Sequence, residues 1–506
     1  MSIDQLIRNS EEKPWLVLKF GGTSIGKFLE SITSTIVRQA LKTHRVIIVC
    51  SARSGNTKSA GTTSQLISAA ESVLHPKSAN HLQILNNLME DHLIHARESI
   101  FNTSILEKLE KDITQECLKL QGFLDALQVI GEVSTKSKDL IIGLGEKLAS
   151  LLVVASLEDC SISSQLVCLD KIIDKHFDEA NLNEGFYDYL SLKFSEKIHA
   201  CDGSIPVVTG YFGPVPGGIL QSIGRGYTDL TAALCAVGIR AEELQIWKEV
   251  DGIFTADPRK VPNARLLKII TPDEAAELTY YGSEVIHPFT MDQVIHAKIP
   301  IRIKNVQSPD GLGTMIFPDS NQKGDYSPHS PQVLLANGYL PDLSRRHPTA
   351  VTIKEDIFVL NVHSNRKSVS HGFFAKIFSI LDSYGIPVDV IATSEVHVSM
   401  ALGTSTCELH LNSAVKELSQ FGTVDILRNM AILSLVGKQM RNMVGIAGAM
   451  FTSLAKANIN IEMISQGASE INISCILSRK HADNALRVVH DSLLANVDYS
   501  ELHGSI

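Results

Sequence analysis

Residues 15–20 (WLVLKF) and 45–50 (RVIIVC) are short, nearly continuous apolar runs separated by a helix-compatible stretch. The first ends in Gly21-Gly22-Thr23-Ser24, the second in Ser51 and a loop rich in Gly, Ser and Thr over 54–64. Strand, glycine turn, helix, strand is the signature of a parallel βαβ unit. Apolar runs with so few polar interruptions predict strands covered on both faces. The pattern recurs at Pro206-Val207-Val208 before Thr209-Gly210, at 244–247 and at 299–303. It predicts an α/β sandwich around a mainly parallel sheet. Over 80–130 the alternation stops. Leu106, Leu109, Ile113, Cys117, Leu120 and Leu124 step by three and four, the spacing of one helical face, and Leu82, Leu85, Leu88 and Met89 mark another. A packed helical insertion over about 65–135 is expected.

The window 318–348 holds five of the 17 prolines, which remove donors and fix φ, so it reads as a linker. Beyond it lies an internal repeat. Residues 372–390 align on 445–463 at an offset of 73, placing Phe378 on Phe451, Leu381 on Leu454 and Ile386 on Ile459. Each copy has the size of a ferredoxin-like βαββ module of about 70 residues. The expected borders are 1–320 for a catalytic α/β domain, 321–348 for the linker, and 349–425 and 426–506 for the two modules.

A formal net charge of −9 argues against a nucleic-acid partner, which would need basic surface. Polar interruptions in every apolar run argue against a membrane span. The eight cysteines are scattered without a CxxC pair, so neither a zinc site nor a disulfide framework is indicated. The N-terminal residues lack an apolar core, and Asp4, Glu11 and Glu12 oppose a transit peptide, so a cytoplasmic protein is expected. The 18 histidines show no ligand spacing, and no metal site is expected; His287, before Pro288, reads as structural.

Several segments carry candidate chemistry. Lys19-Phe20-Gly21-Gly22-Thr23-Ser24 combines a cation with glycines that let backbone amides approach a phosphate. A plain tight turn explains the same residues. In Gly224-Arg225-Gly226-Tyr227-Thr228-Asp229, after an apolar stretch at 219–223 read as a strand, the arginine suits bidentate carboxylate capture. An Asp N-cap beside a solvated Arg is the alternative. Gly143-Leu144-Gly145-Glu146 reads as an acid at a helix start, and 250–259 as a turn-rich loop suited to a nucleotide.

Together, KFGGTS at 19–24, GLGEKLAS at 143–150, GRGYTD at 224–229, WKEVDGIFTADPR at 247–259, YGSEVIHP at 281–288 and TSEVHVS at 393–399 resemble, in order and spacing, the aspartokinases, and most of all their monofunctional fungal form. The resemblance implies an amino acid kinase fold followed by two ferredoxin-like ACT modules, one of which often interrupts the other in this family. It implies ATP-dependent phosphorylation of the L-aspartate β-carboxylate to 4-phospho-L-aspartate, the first step toward threonine, methionine and, in some organisms, lysine. ATP would come with Mg²⁺, and no tightly bound cofactor is implied. Partners would be an amino-acid effector, threonine above lysine, and further copies of the chain in a homo-oligomer formed through the ACT modules.

Carried over residue by residue, Lys19 would neutralise charge between the β-carboxylate and the γ-phosphoryl, with Gly21, Gly22 and Ser24 along the phosphate path. Arg225 would clamp the α-carboxylate and Glu146 the α-ammonium, and Asp229 would orient Lys19 and the ammonium. Thr63 matches the family's substrate threonine, with Thr57 and Thr62 as competitors. Lys248, Glu249, Phe254, Asp257 and Arg259 map to the nucleotide pocket. Ser370, Gly372, Phe373, Val388, Asp389, Thr393, Ser394 and Glu395 match the effector pocket of the first ACT module. Glu284 stands where bacterial relatives often carry lysine, and Tyr227 where a small residue is common, so it would narrow the substrate turn.

Overall fold

The computed structural model describes residues 6–55, 61–75, 80–177, 182–224, 226–280, 288–317, 347–364, 372–394, 397–403, 408–438, 440, 443–467 and 471–495. They fold as two units. Residues 6–252, 268–272 and 288–317 form the first; 253–267, 273–280 and the described chain from 347 onward form the second. Space therefore divides the chain differently from a single border at 320, and nearly all of the expected linker lies outside the described residues.

In the first unit, β1 (Trp15–Phe20), β2 (Arg45–Cys50), β3 (Ser164–Val167), β4 (Ile205–Thr209), β5 (Glu243–Lys248), β6 (Ile269–Ile270), β7 (Ile301–Asn305) and β8 (Thr314–Ile316) form one eight-stranded sheet. Its order is β3-β4-β2-β1-β5-β7-β8-β6, and β7 with β8 is its antiparallel pair among otherwise parallel neighbours. The apolar runs sit where sequence placed them: five of six residues in β1 and in β2, and all five of β4, are buried.

Helices cover the sheet: α1 (Gly22–Lys27), α2 (Thr62–Ser72), α3 (Asn80–Ser99), α4 (Thr103–Ile130), α5 (Thr135–Asp159), α6 (Glu184–His199) and α7 (Tyr227–Gly238). The α4 helix starts where the Asn102 side chain accepts the Ser104 and Ile105 amides, and it ends at Gly131 with φ +76°. Its buried stripe, Leu109, Ile113, Cys117, Leu120 and Leu124, follows the expected spacing. The α5 helix is long and apolar enough to cross a membrane by length and composition, which the sequence reading passed over; 78% of its apolar window is buried. It packs on β2, β3 and β4 and is covered by α2, α3 and α4, and a helix apolar all round is a core helix when so enclosed. Its cap is Ser134, which accepts the Ser137 amide, so Glu146 lies mid-helix rather than at a helix start.

Within the second unit, α8 (Pro272–Tyr280) contributes from Asp273 onward, and the chain returns to the first unit with α9 (Pro288–His296). The second unit is built on six strands, β9 (Ala350–Ser364), β10 (Val388–Ser394), β11 (His397–Leu402), β12 (Gly422–Val436), β13 (Met463–Ser465) and β14 (Asn472–Ser478), ordered β10-β11-β9-β12-β14-β13 and antiparallel throughout. Helices α10 (Phe373–Ser383), α11 (Glu408–Leu418), α12 (Ile446–Lys456) and α13 (Ala482–Leu493) complete it. The two 15-residue strands, β9 and β12, serve both repeats. The early part of β9 packs with α12 and α13 through Val351, the later part with α10 and α11 through Leu360 and Val362. One ferredoxin-like half is thus inserted between the first strand of the other and the rest of it, so borders drawn in series at 349–425 and 426–506 do not follow the interlocked strands. Asp356 and Asn429, at φ +57° and +58°, mark irregularities midway along these strands. The irregularity reverses side-chain parity: the helix-facing positions change from odd to even along β9 (Val351, then Leu360 and Val362) and from even to odd along β12 (Val424 and Ile426, then Leu433 and Leu435).

Candidate active site

Strand β1 is where the sheet reverses its direction of growth, with β2 and β4 on one side and β5 and β7 on the other. Ligands in such sheets bind beyond the carboxyl ends of the strands at this point. Lys19, the penultimate residue of β1, is 7% exposed, and its Nζ lies 2.7 Å from Asp229 Oδ1. Asp229 occupies the first turn of α7, behind Gly226 as the N-cap, so it is not itself the cap. The preceding residues Ile219–Ser222 form a helical turn, not a strand. The Ile219 amide donates to Asp139 Oδ2 on α5 at 2.9 Å.

The turn after β1 is pressed against the loop after β2. A Cβ on Gly22 would lie 2.0 Å from the Ala52 carbonyl oxygen, so only glycine fits. Ser24, in α1, donates through Oγ to Glu249 Oε1 at 2.7 Å, tying this turn to the segment that follows Lys248 at the end of β5. Lys19, Gly21, Gly22, Ser24, Asp229, Lys248 and Glu249 are therefore gathered along one carboxyl edge.

A cavity of about 180 Å³ opens within the same unit, lined by Ala52, Arg53, Thr62, Thr63, Glu146 and Tyr227 among others. Glu146 is 2% exposed, and the Tyr227 hydroxyl donates to its Oε1. Burial pushes the Glu146 carboxyl up to about 7, with the Tyr227 hydrogen bond pulling the other way. Tyr227 is itself raised well above its ordinary value, first by burial and then by the Glu146 charge. The glycines flanking Leu144 serve packing: a Cβ on Gly143 would strike the Tyr211 ring, and one on Gly145 the Ala52 methyl.

Residues 14–305 match the amino acid kinase family, and residues 433–493 match the ACT domain. The chain is 52% identical to the aspartokinase of Schizosaccharomyces pombe, over 98% of this chain and 95% of that one. It is 49% identical to the aspartokinase of Saccharomyces cerevisiae, over 96% and 94%. The chain belongs to the aspartokinases. As an aspartate kinase, it shares its fold with E. coli aspartokinase III solved with lysine and aspartate, at a TM-score of 0.72 and 23% identity over 95% of this chain and 99% of that one. The same E. coli protein solved with aspartate and ADP matches at a TM-score of 0.70 and 24% identity, over 94% and 99%.

Not every expected residue joins the kinase's cluster. Arg225, Thr57, Glu284 and His287 lie outside the described residues, whereas Thr62 and Thr63 both line the cavity. Phe254, Asp257 and Arg259 belong to the second unit, where Ala256 and Val261 between and beside them enter the hydrophobic core. Thr255 Oγ1 lies 2.9 Å from His490 Nε2 in that core, and the Arg259 guanidinium bridges Asp257 at 3.0 and 2.8 Å. The arginine beside it holds the Asp257 carboxyl below its ordinary value. Of the expected effector residues, Ser370 and Glu395 lie outside the described set. Gly372, at φ +82°, caps α10, Phe373 is buried, and Val388, Asp389, Thr393 and Ser394 lie on β10. Asp389 is already engaged, 2.6 Å from Lys354 Nζ. Sequence reasoning missed Arg53 and the hydroxyl of Tyr227 as a partner for Glu146; the arginine in Ser51-Ala52-Arg53-Ser54, beside the Thr62-Thr63 turn, was the available signal.

Proposed function

We propose that the Lys19 edge and the Glu146 cavity bind ATP and L-aspartate side by side and yield 4-phospho-L-aspartate. The observation that carries this reading is a buried lysine at the sheet's switch point, paired to Asp229 at 2.7 Å beside a cavity lined by a buried carboxyl group. A β-carboxylate oxygen attacks the γ-phosphorus, a new P–O bond forms, and the bond to the β-phosphate oxygen breaks, releasing ADP. The nucleophile is ionised at neutral pH (ordinary Asp pKa about 3.9), so it needs no general base. The barrier is repulsion between two anions and their alignment. Lys19, oriented by Asp229, reduces that repulsion, with Gly21, Gly22 and Ser24 along the phosphates. Glu146 takes the α-ammonium, Thr63 a carboxylate, and Arg225 the α-carboxylate.

Lys248, Glu249, Phe254, Asp257 and Arg259 are proposed for the nucleotide. Among the described residues, no three His, Cys, Asp or Glu side chains converge as a metal cage, so Mg²⁺ is taken to arrive on the ATP phosphates. Residues 1–320 are proposed as the catalytic domain and the interlocked modules as its sensor, with threonine as inhibitor bound near Gly372, Phe373 and Asp389. The chain is further proposed to act in the cytoplasm as a homo-oligomer held by its ACT modules, at the entry to threonine and methionine synthesis.

The test is ADP release measured with aspartate, glutamate and N-acetylglutamate in turn, repeated with threonine and with lysine. Aspartate-dependent release inhibited by threonine is expected. Equal turnover of glutamate would defeat the substrate assignment, and inhibition by lysine alone would defeat the effector assignment.

A further inference from the structure

We propose that Arg53 binds a carboxylate of the acceptor amino acid, and that Asp91 on the inserted helix α3 is the positioning residue that holds it there. The proposal rests on the reading of the Glu146 cavity as the aspartate site.

Arg53 leaves β2 in the loop that α1 contacts, is 8% exposed, and lines the same cavity as the Glu146 carboxyl group. Its Nη2 donates to Asp91 Oδ2 and, at 3.4 Å, to the Asp91 carbonyl oxygen. Its Nε is buried without a hydrogen-bond partner. A guanidinium carries five donors in a planar fork, and a buried cation with unused donors is costly unless an anion completes its shell. The fork matches a carboxylate in two parallel bonds. With Glu146 and the Thr62 and Thr63 hydroxyls on the same lining, the cavity offers an anion for an ammonium and a cation for a carboxylate, the charge pattern of a free amino acid.

Helix α3 is arranged to keep Arg53 in this role. His92 and His95, on the same helix, are both held below their ordinary values by burial and then by the Arg53 charge, His92 down to about 4. Their charged forms are thereby disfavoured beside the Arg53 cation. Burial lowers Arg53 itself, and Glu98 raises it. The insertion thereby supplies the counterion that fixes a cavity-lining cation.

The experiment is steady-state kinetics and calorimetric aspartate binding on the full-length chain carrying Arg53→Gln, Arg53→Lys, Asp91→Asn, the Arg53→Gln/Asp91→Asn double variant, and Thr63→Val. Arg53→Gln is expected to raise KM and Kd for aspartate about 10- to 100-fold, the range for a lost charged hydrogen bond, and to leave KM for ATP within about twofold. Arg53→Lys, which keeps the charge, should fall between Arg53→Gln and the parent, and it decides the matter should Arg53→Gln not fold. Asp91→Asn should raise KM less, and the double variant should be no worse than Arg53→Gln alone, since Asp91 acts through Arg53. Multiplying effects in the double variant would overturn the positioning role. Unchanged aspartate affinity in both Arg53 variants, with Thr63→Val impaired, would remove Arg53 while sparing the cavity. Unchanged affinity in all of them would overturn both the proposal and the reading it rests on.

Discussion

The carboxyl edge of the parallel sheet and the α10–β10 corner of the second unit are both candidate amino-acid sites, but they are assembled differently. At the first, two buried cations meet their counterions from distant parts of the chain, Lys19 with Asp229 and Arg53 with Asp91. At the second, Gly372, Phe373, Val388 and Asp389 come from one short helix–strand segment, and Asp389 is paired with Lys354 of the neighbouring long strand. Buried, prearranged charges stabilise a transition state without reorganising. A sensor built from one local segment can instead move without dismantling the catalytic charges. Losses at the first site should therefore appear as lost turnover or substrate affinity, and losses at the second as lost regulation with turnover intact.

The largest effect is expected for Lys19→Ala, which should lower kcat by about three orders of magnitude, the upper range for removing one prearranged charge-stabilising donor. The thermal transition should fall as well, since the buried Asp229 carboxylate loses this counterion. ADP-release kinetics check it, and a variant keeping most of its kcat would erase the contrast between the two sites. Glu146→Gln comes next. It should raise KM for aspartate about 10- to 100-fold, because an ion pair with the α-ammonium is lost.

Glu146 also predicts the sign of a pH effect. Its carboxyl is pushed up to about 7 by burial, and binding the ammonium requires the ionised form. KM for aspartate should thus fall as pH rises through that value. Without substrate, the folded state holds this proton more tightly than the unfolded chain, so the group's contribution to stability falls as pH rises from the ordinary Glu range toward 7. Tyr227→Phe removes the hydrogen bond that favours ionisation, and the KM inflection should move to higher pH. An inflection that stays in place would show that the Tyr227 hydroxyl does not tune Glu146.

At the second site, Asp389→Asn should leave kcat unchanged and shift the threonine inhibition curve to about tenfold higher concentration, within the usual range of allosteric coupling. Loss of basal turnover instead would mean that the two regions are not separable in the way their construction implies.

Much of this was legible in sequence for identifiable reasons. Apolar runs ending in small turn residues located β1, β2 and β4, and the three-and-four spacing located α4, because burial on two faces or on one stripe leaves a local pattern. Lys19 was legible because it stands at the end of such a run. The setting of Glu146 was not: its helix starts at the Ser134 cap, well before the glycines at which it was expected to start. The membership of 253–267 in the second unit was hidden as well, since it depends on Val261 and Ala256 meeting Leu433 and Val489 far along the chain. The Arg53–Asp91 pair left no periodic trace, because its partners lie on a loop and on one turn of a helix 38 residues apart.

The smallest effect tests whether the two repeats are equivalent in backbone but not in use. Gly372 and Gly445, related by the 73-residue offset, cap α10 and α12 at φ +82° and +87°. A Cβ at either position meets nothing within 4 Å, so alanine would add backbone strain alone. Each Gly→Ala change should cost about 1–2 kcal/mol, the penalty for an L-residue in the left-handed region, measured as a similar fall in chemical stability of the two variants. Costs differing by more than about 1 kcal/mol would break the structural equivalence. With equal costs, the threonine curve becomes the discriminating readout. Gly372→Ala displaces the start of the helix beside Phe373 and Asp389 and should weaken inhibition. Gly445→Ala, whose copy carries Glu462 in place of Asp389, should leave the curve where it was. A shift of equal size in both variants would mean that threonine is sensed by the interlocked sheet as a whole and not by its first half.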